Sequence, residues 1–130
     1  MIVLDASAVV ELLLGTERGR RVSAQIADPS VGLHVPHLVD VEVTQALMRY
    51  ALDRELAGSS ARMALEDFRA LDLTRHAHEP LLGPVWELRR NLSAYDAVYV
   101  ALAEALDSRL VTCDARLARA PGVTARVDVL

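Results

Sequence analysis

The sequence predicts an α/β domain in which helices cover both faces of a parallel sheet. Short apolar runs rich in β-branched residues alternate with Ala- and Leu-rich stretches of helical periodicity. Strands that alternate with helices are typical of parallel sheets, because each crossover returns the chain to the same end of the sheet. The 130 residues contain no internal repeat, linker or low-complexity run. A single domain over residues 1–130 is therefore expected.

Five strands and seven helices are expected along the chain. The strands are predicted at residues 2–5, 33–35, 71–74, 109–112 and 123–129. The helices are predicted at residues 7–14, 17–27, 37–56, 61–70, 78–91, 94–106 and 114–120. Gly15 and Gly58 are placed to end helices, Pro36 is placed to open one, and Ser59 with Ser60 is placed to cap one.

The charged residues exclude several enzyme classes. All 14 basic residues are arginine, and the net charge is -4. A phosphoacceptor receiver domain, a haloacid-dehalogenase-type phosphatase and a P-loop nucleotidase each need a lysine, which this chain lacks. A net acidic protein is a poor general binder of nucleic acid, unless its acidic residues are collected around bound cations. The charge balance therefore has to be judged at the site.

The single cysteine and the first residues bear on the cellular compartment. Cys113 is the only cysteine, so no internal disulfide can form, and this suits a reducing cytoplasm. The segment after Met1 has neither a basic stretch nor a long apolar run. A cytoplasmic protein with no signal peptide and no membrane span is therefore expected.

Four acidic residues stand where a site in a parallel sheet is expected. Asp5 ends the first predicted strand, and Asp114 follows the fourth. Glu42 lies in the second turn of the helix after the second strand, and Asp96 lies in the first turn of the helix before the fourth. Because ligands of such sheets bind outside the carboxyl ends of the strands, all four side chains are expected at one edge.

A cluster of four carboxylates requires protons or cations, since like charges in a partly desolvated cleft cannot all ionise cheaply. Hard oxygen ligands of this kind suit Mg²⁺ or Mn²⁺. Such an ion can orient and activate a water and can stabilise the charge that develops on a phosphodiester. Bound cations would also explain how an acidic protein holds a polyanion. The cluster therefore predicts a metal-dependent nuclease.

Each acid also has an ordinary structural role open to it. Asp5 and Asp114 can cap the helices that follow them, and Asp96 suits a helix N-terminus because of the helix dipole. Glu42 can be a solvated helix residue. Their joint placement favours a site, because Asp5 and Asp96 adjoin apolar runs in which a purely solvated acid is not expected.

Four segments carry a resemblance to a known family. They are residues 2–8, 36–47, 92–103 and 110–117. In these segments the chain resembles the PIN-domain nucleases, and most closely the VapC-type toxins of toxin–antitoxin pairs. The resemblance covers essentially the whole chain in order and spacing. Its third and fourth segments together are specific to the family, whereas the first alone is a weak signal.

The resemblance implies a three-layer α/β/α fold around a central parallel sheet, with Mg²⁺- or Mn²⁺-dependent endonuclease action on RNA. The catalytic and metal-binding acids that it implies are Asp5, Glu42, Asp96 and Asp114. Ser7 and Thr112 match the family's supporting hydroxyl residues. Gln45 stands where the family often has asparagine, a departure that leaves the four acids in place.

The resemblance also implies partners. Besides the RNA substrate, these are a small VapB-like antitoxin that silences the enzyme, and a second copy of the chain in a homodimer. A guanidinium from the antitoxin would meet paired carboxylates through two parallel hydrogen bonds. Apolar positions on the first two helices are candidates for the antitoxin groove, the dimer surface or the core: Val9, Val10, Leu13 and Val22.

Two other functions stay open at this point. One is a catalytically silent PIN-like module that binds RNA or a protein, and the other is a housekeeping nuclease of RNA processing. Two pairs of arginines near the acids are candidates either for holding phosphates at the cleft rim or for ordinary helix surface: Arg89 with Arg90, and Arg116 with Arg119. The histidines are expected in structural, capping or solvated positions. The larger aromatic residues are expected to be packing residues, with stacking on an RNA base as an alternative for the second of them: Trp86, Tyr95 and Tyr99.

Overall fold

Five parallel strands form the centre of the computed structural model, which describes residues 1–130. They are β1 (Ile2–Leu4), β2 (Leu33–Pro36), β3 (Leu73–His76), β4 (Arg109–Thr112) and β5 (Val127–Val129). Their order across the sheet is β3-β2-β1-β4-β5. The first strand therefore lies in the middle, with β2 on one side and β4 on the other. This arrangement is a topological switch point, the place at which ligands bind in such sheets.

Seven α-helices connect the strands and cover the sheet. They are α1 (Ala6–Leu14), α2 (Glu17–Gln25), α3 (Leu38–Leu52), α4 (Gly58–Ala70), α5 (Leu82–Glu87), α6 (Ala94–Ala105) and α7 (Ala115–Arg119). Helices α1 to α4 pack against one another, and α5 packs against α6. The predicted α/β/α architecture is confirmed. None of the helices has the length and apolarity needed to cross a membrane.

The aliphatic core fixes the two elements that carry most of the predicted site. β1 is fully buried, because a central parallel strand is covered on both faces. α6 contributes an unbroken buried run from Ala97 to Ala103, so this helix is enclosed rather than amphipathic. The early-helix positions are also core residues: Val9, Val10 and Val22 are buried, and Leu13 packs partly buried against them.

Four strands differ from their predicted bounds. β1 ends one residue earlier than predicted, and β5 begins four residues later, at Val127. β3 lies two residues later than predicted, because Leu71 ends α4 and the pairing with β2 begins at Leu73. Pro36 is the last residue of β2 and does not open a helix. Its missing N–H is tolerated because the pairing between β1 and β2 ends at His34.

Three helices differ from their predicted bounds by three residues or more. α3 ends at Leu52, earlier than predicted, because Arg54 adopts a left-handed conformation with φ 56°. α4 begins at Gly58, so the prediction that this glycine ends a helix is wrong. The two serines that follow lie inside the first turn of α4 and do not cap it. The helix predicted over 78–91 is split into a short 3-10 helix, Glu79–Leu81, and α5. Two prolines in this segment lack the N–H that a continuous helix needs.

Candidate active site

Asp5 stands at the junction of β1 and α1, at the carboxyl end of the central strand. It is the N-cap of α1, and its Oδ1 accepts the Ala8 N–H at 2.9 Å. The same oxygen accepts the Ser7 hydroxyl at 2.7 Å, and Oδ2 accepts the Thr112 hydroxyl at 2.5 Å. Asp5 is 5% exposed. The carboxylate is therefore buried and held by three uncharged donors.

The hydroxyl groups of Ser7 and Thr112 join the ends of β1 and β4. Each donates to Asp5 and accepts a backbone N–H, Ser7 from Cys113 at 3.0 Å and Thr112 from Asp114 at 2.9 Å. The two hydroxyl oxygens lie 3.3 Å apart. The structure thus brings both predicted supporting residues into contact with Asp5, where they fix the direction of its carboxylate.

Burial raises the pKa of Asp5 above its ordinary value. Loss of hydration is the largest cause, and it outweighs the hydrogen bonds from Thr112, Ala8 and Ser7, which lower the pKa. The negative charge of nearby Asp114 raises it further. A cation bound beside Asp5 would reduce this penalty, since it would stabilise the ionised form.

Glu42 contacts the opposite helix, α6, through Tyr99. The Tyr99 hydroxyl donates a 2.5 Å hydrogen bond to Glu42 Oε1. Partial burial raises the pKa of Glu42; the Tyr99 hydrogen bond opposes this shift, and the charges of Asp96 and Asp5 add to it. Burial and the Glu42 carboxylate raise the pKa of Tyr99 far above neutrality, so its hydroxyl remains a donor.

Asp96 lies in the first turn of α6, where Ser93 is the N-cap. The Asp96 N–H donates to Ser93 Oγ at 3.2 Å, so the capping role belongs to the serine and leaves the Asp96 carboxylate free for other partners. The Asp96 side chain is about one-third exposed, and its Oδ2 lies 3.8 Å from Arg116 Nη2.

Asp114 combines a helix cap with an ion pair. Its Oδ1 accepts the Arg116 N–H at 3.0 Å, which caps α7. The Arg116 side chain returns to the same carboxylate, with Nε at 3.1 and 3.0 Å from the two oxygens and Nη2 at 2.6 Å from Oδ2. These side-chain hydrogen bonds are the main reason that the pKa of Asp114 is lowered.

The four acids form what we call the acidic cluster: Asp5, Glu42, Asp96 and Asp114. Charge interactions link Asp5 to Asp114 and to Glu42, and Glu42 to Asp96. As the side chains stand, no three acidic, histidine or cysteine groups surround a common point suited to a metal ion. The chemistry of the donors nevertheless fits Mg²⁺ or Mn²⁺, because the cluster offers only carboxylate oxygens, with hydroxyl groups behind them.

The aromatic residues differ from the sequence prediction. Tyr99 is buried, as predicted. Its hydrogen bond to Glu42 is not predicted from the sequence, which indicates only a packing role for this residue. Its spacing of three residues from Asp96 on one helix face is the signal that could have pointed to it. Trp86 and Tyr95 are 63% and 65% exposed, so the prediction that they pack in the protein interior is wrong.

The histidines make contacts of their own. His34 Nδ1 lies 2.8 Å from His76 Nε2, which joins β2 to β3. His78 Nε2 accepts the Leu38 N–H at 2.9 Å and so caps α3, whereas His37 forms no capping hydrogen bond. The structural role expected for His34 is confirmed. The solvated loop expected for His76 and His78 is wrong, because His76 lies in β3 and His78 caps α3.

Comparisons with known proteins cover nearly the whole chain. Residues 2–123 match the PIN domain family. Ribonuclease VapC9 of Mycobacterium tuberculosis is 48% identical over 117 residues, which make up 90% of this chain and 88% of the relative. Ribonuclease VapC1 of the same organism is 42% identical over 129 residues, 98% of this chain and 96% of the relative.

The fold has counterparts among solved structures. The crystal structure of VapBC2 from Rickettsia felis bound to a DNA fragment from their promoter is similar with a TM-score of 0.73. The match covers 100% of this chain and 99% of that chain at 15% identity, and therefore bears on the fold alone. Sequence identity and the family match carry the assignment. The chain belongs to the PIN-domain family and, within it, to the VapC ribonucleases.

Proposed function

We propose that the chain is a divalent-metal-dependent endoribonuclease whose active site is the acidic cluster. The observation that carries this proposal is the Asp5 carboxylate. It is buried at the switch point of the sheet, is held only by uncharged donors, and has charge interactions with Asp114 and Glu42. A buried carboxylate without a cationic partner is costly to ionise. A bound cation would offset the cost of ionising Asp5. Membership in the VapC ribonucleases supports RNA as the substrate.

The chain's own side chains supply orientation. Ser7 and Thr112 hold the Asp5 carboxylate in one direction, and Tyr99 holds Glu42. Groups fixed in this way need little rearrangement when a ligand arrives. Mg²⁺ or Mn²⁺ held by the four carboxylates would activate a water and stabilise the charge that develops on the phosphodiester.

The products distinguish this mechanism from the metal-free one. Metal-free ribonucleases need a general acid and a general base to act on the 2′-hydroxyl. The imidazole rings of this chain are engaged with one another and with the start of α3. Attack by water leaves 5′-phosphate and 3′-hydroxyl ends, whereas attack by the 2′-hydroxyl leaves a 2′,3′-cyclic phosphate.

The test is incubation of chelator-treated protein with total cellular RNA, with and without added Mg²⁺ or Mn²⁺, followed by mapping of the cut ends. We expect cleavage only with the cation, and 5′-phosphate ends. Cleavage that persists in chelator, or products that end in a cyclic phosphate, would contradict the mechanism. RNA binding without cleavage under either cation would identify a silent RNA-binding module instead.

Single-charge variants test whether the activity lies in the cluster: Asp5→Asn, Glu42→Gln, Asp96→Asn and Asp114→Asn. We expect each to lower the cleavage rate by roughly a hundredfold or more while circular dichroism shows a retained fold, because each removes one charged oxygen ligand. Asp72→Asn, at an exposed position before β3, is the matched control and should cut normally. Normal rates in all four variants would rule out the cluster as the active site.

We further infer that this ribonuclease acts in the cytoplasm as the toxin of a toxin–antitoxin pair, that a VapB-like antitoxin silences it, and that it forms a homodimer. The VapC names of its relatives support this role. Expression in a bacterium with and without the upstream neighbouring gene tests it. We expect growth arrest that the neighbour relieves and that Asp5→Asn abolishes. Normal growth with abundant metal-competent protein would favour an RNA-processing nuclease.

A further inference from the structure

Arg116 brings a positive charge into contact with the acidic cluster. Its Nε and Nη2 meet both oxygens of Asp114 at 2.6 to 3.1 Å, and Nη2 lies 3.8 Å from Asp96 Oδ2. Asp96 and Asp114 are the more open members of the cluster, with side chains 32% and 26% exposed, whereas Asp5 is buried. The guanidinium therefore neutralises carboxylates on the side from which a cation would enter.

The ion pair between Arg116 and Asp114 is easily exchanged. The Arg116 side chain is 76% exposed and is carried by α7, a helix of five residues. Exposed ion pairs contribute little to stability, because water solvates the separated ions well. A divalent cation seeks the same carboxylate oxygens as the guanidinium. Binding of one therefore disfavours binding of the other at Asp114.

A cleft adjoins the ion pair between Arg116 and Asp114. It has a volume of about 390 Å³, and its lining includes Asn91, Ser93, Asp96, Arg116 and Arg119. A guanidinium can bind a phosphate group through two parallel hydrogen bonds. The Ser93 hydroxyl is a further donor, as is the second N–H of the Asn91 amide, whose nitrogen already donates to the Pro121 carbonyl. The cleft therefore joins the acidic cluster to a surface that suits an RNA phosphate.

We propose that Arg116 is a movable counter-ion, which pairs with Asp114 in the metal-free protein and turns into the adjoining cleft to bind an RNA phosphate when a divalent cation takes that carboxylate. The inference rests on the proposed function and adds a substrate-binding residue to it. Metal affinity and RNA affinity then depend on Arg116 in opposite directions. An arginine that only stabilised α7 would not link them in this way.

The variant Arg116→Gln tests this exchange, with Mn²⁺ as the probe. We expect its Mn²⁺ dissociation constant, measured by electron paramagnetic resonance without RNA, to be about three- to tenfold lower than that of the wild type, because a competing exposed ion pair is removed. The KM for a single-stranded oligoribonucleotide at saturating Mn²⁺ should rise roughly tenfold, because a hydrogen-bonded charge is lost. Arg62→Gln on α4 makes the same change in net charge and should alter neither constant.

The outcomes separate this inference from the proposed function. Wild-type protein that binds no Mn²⁺ would overturn the metal site itself. If the wild type binds Mn²⁺ and Arg116→Gln changes neither constant, or only one of them, the nuclease assignment stands and the exchange is wrong. Loss of both affinities would also overturn the exchange, because Arg116 would then support metal binding rather than compete with it.

Discussion

Asp5 and Asp114 follow neighbouring strands of the sheet, yet their carboxylates have opposite environments. Asp5 is buried, receives three hydrogen bonds from uncharged donors, and has a raised pKa. The Asp114 side chain is 26% exposed, pairs with Arg116, and has a lowered pKa. The two strands are in direct register, with Leu4 opposite Val111. The two acids therefore have similar positions in the fold, and the difference in their pKa values comes from their burial and from the groups that contact each carboxylate.

This difference divides the acidic cluster into a fixed part and an exchangeable part. Three uncharged donors orient Asp5 but do not compensate the loss of its hydration, so this acid gains most from a bound cation. The Arg116 guanidinium already compensates the charge of Asp114, and a metal ion has to replace that guanidinium. We therefore expect changes around Asp5 to have larger effects than changes around the exposed acids.

The largest of these effects is expected from Thr112→Val, which removes the hydroxyl that connects the two acids. The variant leaves Asp5 Oδ2 and the Asp114 N–H without their partners at a fully buried position. We expect cleavage to fall roughly ten- to a hundredfold, and the free energy of unfolding to fall by about 1–3 kcal/mol. RNA cleavage and urea unfolding measure the two quantities.

Thr74→Val is the matched control for this change, because Thr74 is exposed on the edge strand β3. It should leave both quantities unchanged. Equal cleavage by Thr112→Val and the wild type would mean that the direction of the Asp5 carboxylate has no bearing on catalysis.

A smaller effect is expected from Tyr99→Phe, which removes the hydrogen bond to Glu42, one of the two cluster acids carried by helices. The hydrogen bond from Tyr99 lowers the pKa of Glu42, so its loss should raise that pKa further. The acid limb of the pH–rate profile should move to higher pH, and cleavage at neutral pH should fall by roughly tenfold or less. Tyr95→Phe, at an exposed position on the same helix, should leave the profile in place. A profile unaffected by Tyr99→Phe would exclude Glu42 as its acidic group.

The smallest effect concerns stability, and its sign differs between the two strand-end acids. The folded-state pKa of Asp5 is raised, so its stabilising contribution is complete below the ordinary pKa of 3.8 and is lost as the pH rises through the folded-state pKa. The folded-state pKa of Asp114 is lowered, so its contribution is present above 3.8 and is lost as the pH falls through the folded-state pKa.

These opposite shifts predict opposite changes in melting temperature when each acid is replaced, measured in the presence of a chelator. At neutral pH, Asp5→Asn should melt a few degrees above the wild type and Asp114→Asn slightly below it. Both differences should shrink in acid, as the wild-type carboxyl groups become protonated. A lower melting temperature for Asp5→Asn at neutral pH would show that its hydrogen bonds outweigh the cost of its burial.

The sequence contains enough to locate the strand-end acids. Asp5 follows a continuous apolar run, and Asp114 follows another, so the rule for parallel sheets is sufficient to place both at the same edge. Glu42 and Asp96 can be placed in their helical turns from periodicity and capping residues. The supporting roles of Ser7 and Thr112 depend on the family resemblance, because a lone hydroxyl residue has no distinctive pattern.

The contacts between distant segments could not be predicted from pattern. The Tyr99 hydrogen bond to Glu42 depends on how α3 and α6 approach each other. The predicted start of β3 is wrong because Leu71 and Leu73 are equally apolar, and only pairing with β2 decides between them. Tertiary packing determines each of these features.

The central claim is that the acidic cluster binds a divalent cation, and a titration with Mn²⁺ monitored by electron paramagnetic resonance tests it most directly. The comparison is between the wild type, the double variant Glu42→Gln with Asp96→Asn, and a control with the same charge change, Asp67→Asn with Asp72→Asn, at exposed positions outside the cluster. We expect saturable binding by the wild type and the control, and at least about tenfold weaker binding by the cluster variant. Equal affinity in all three proteins would contradict the account.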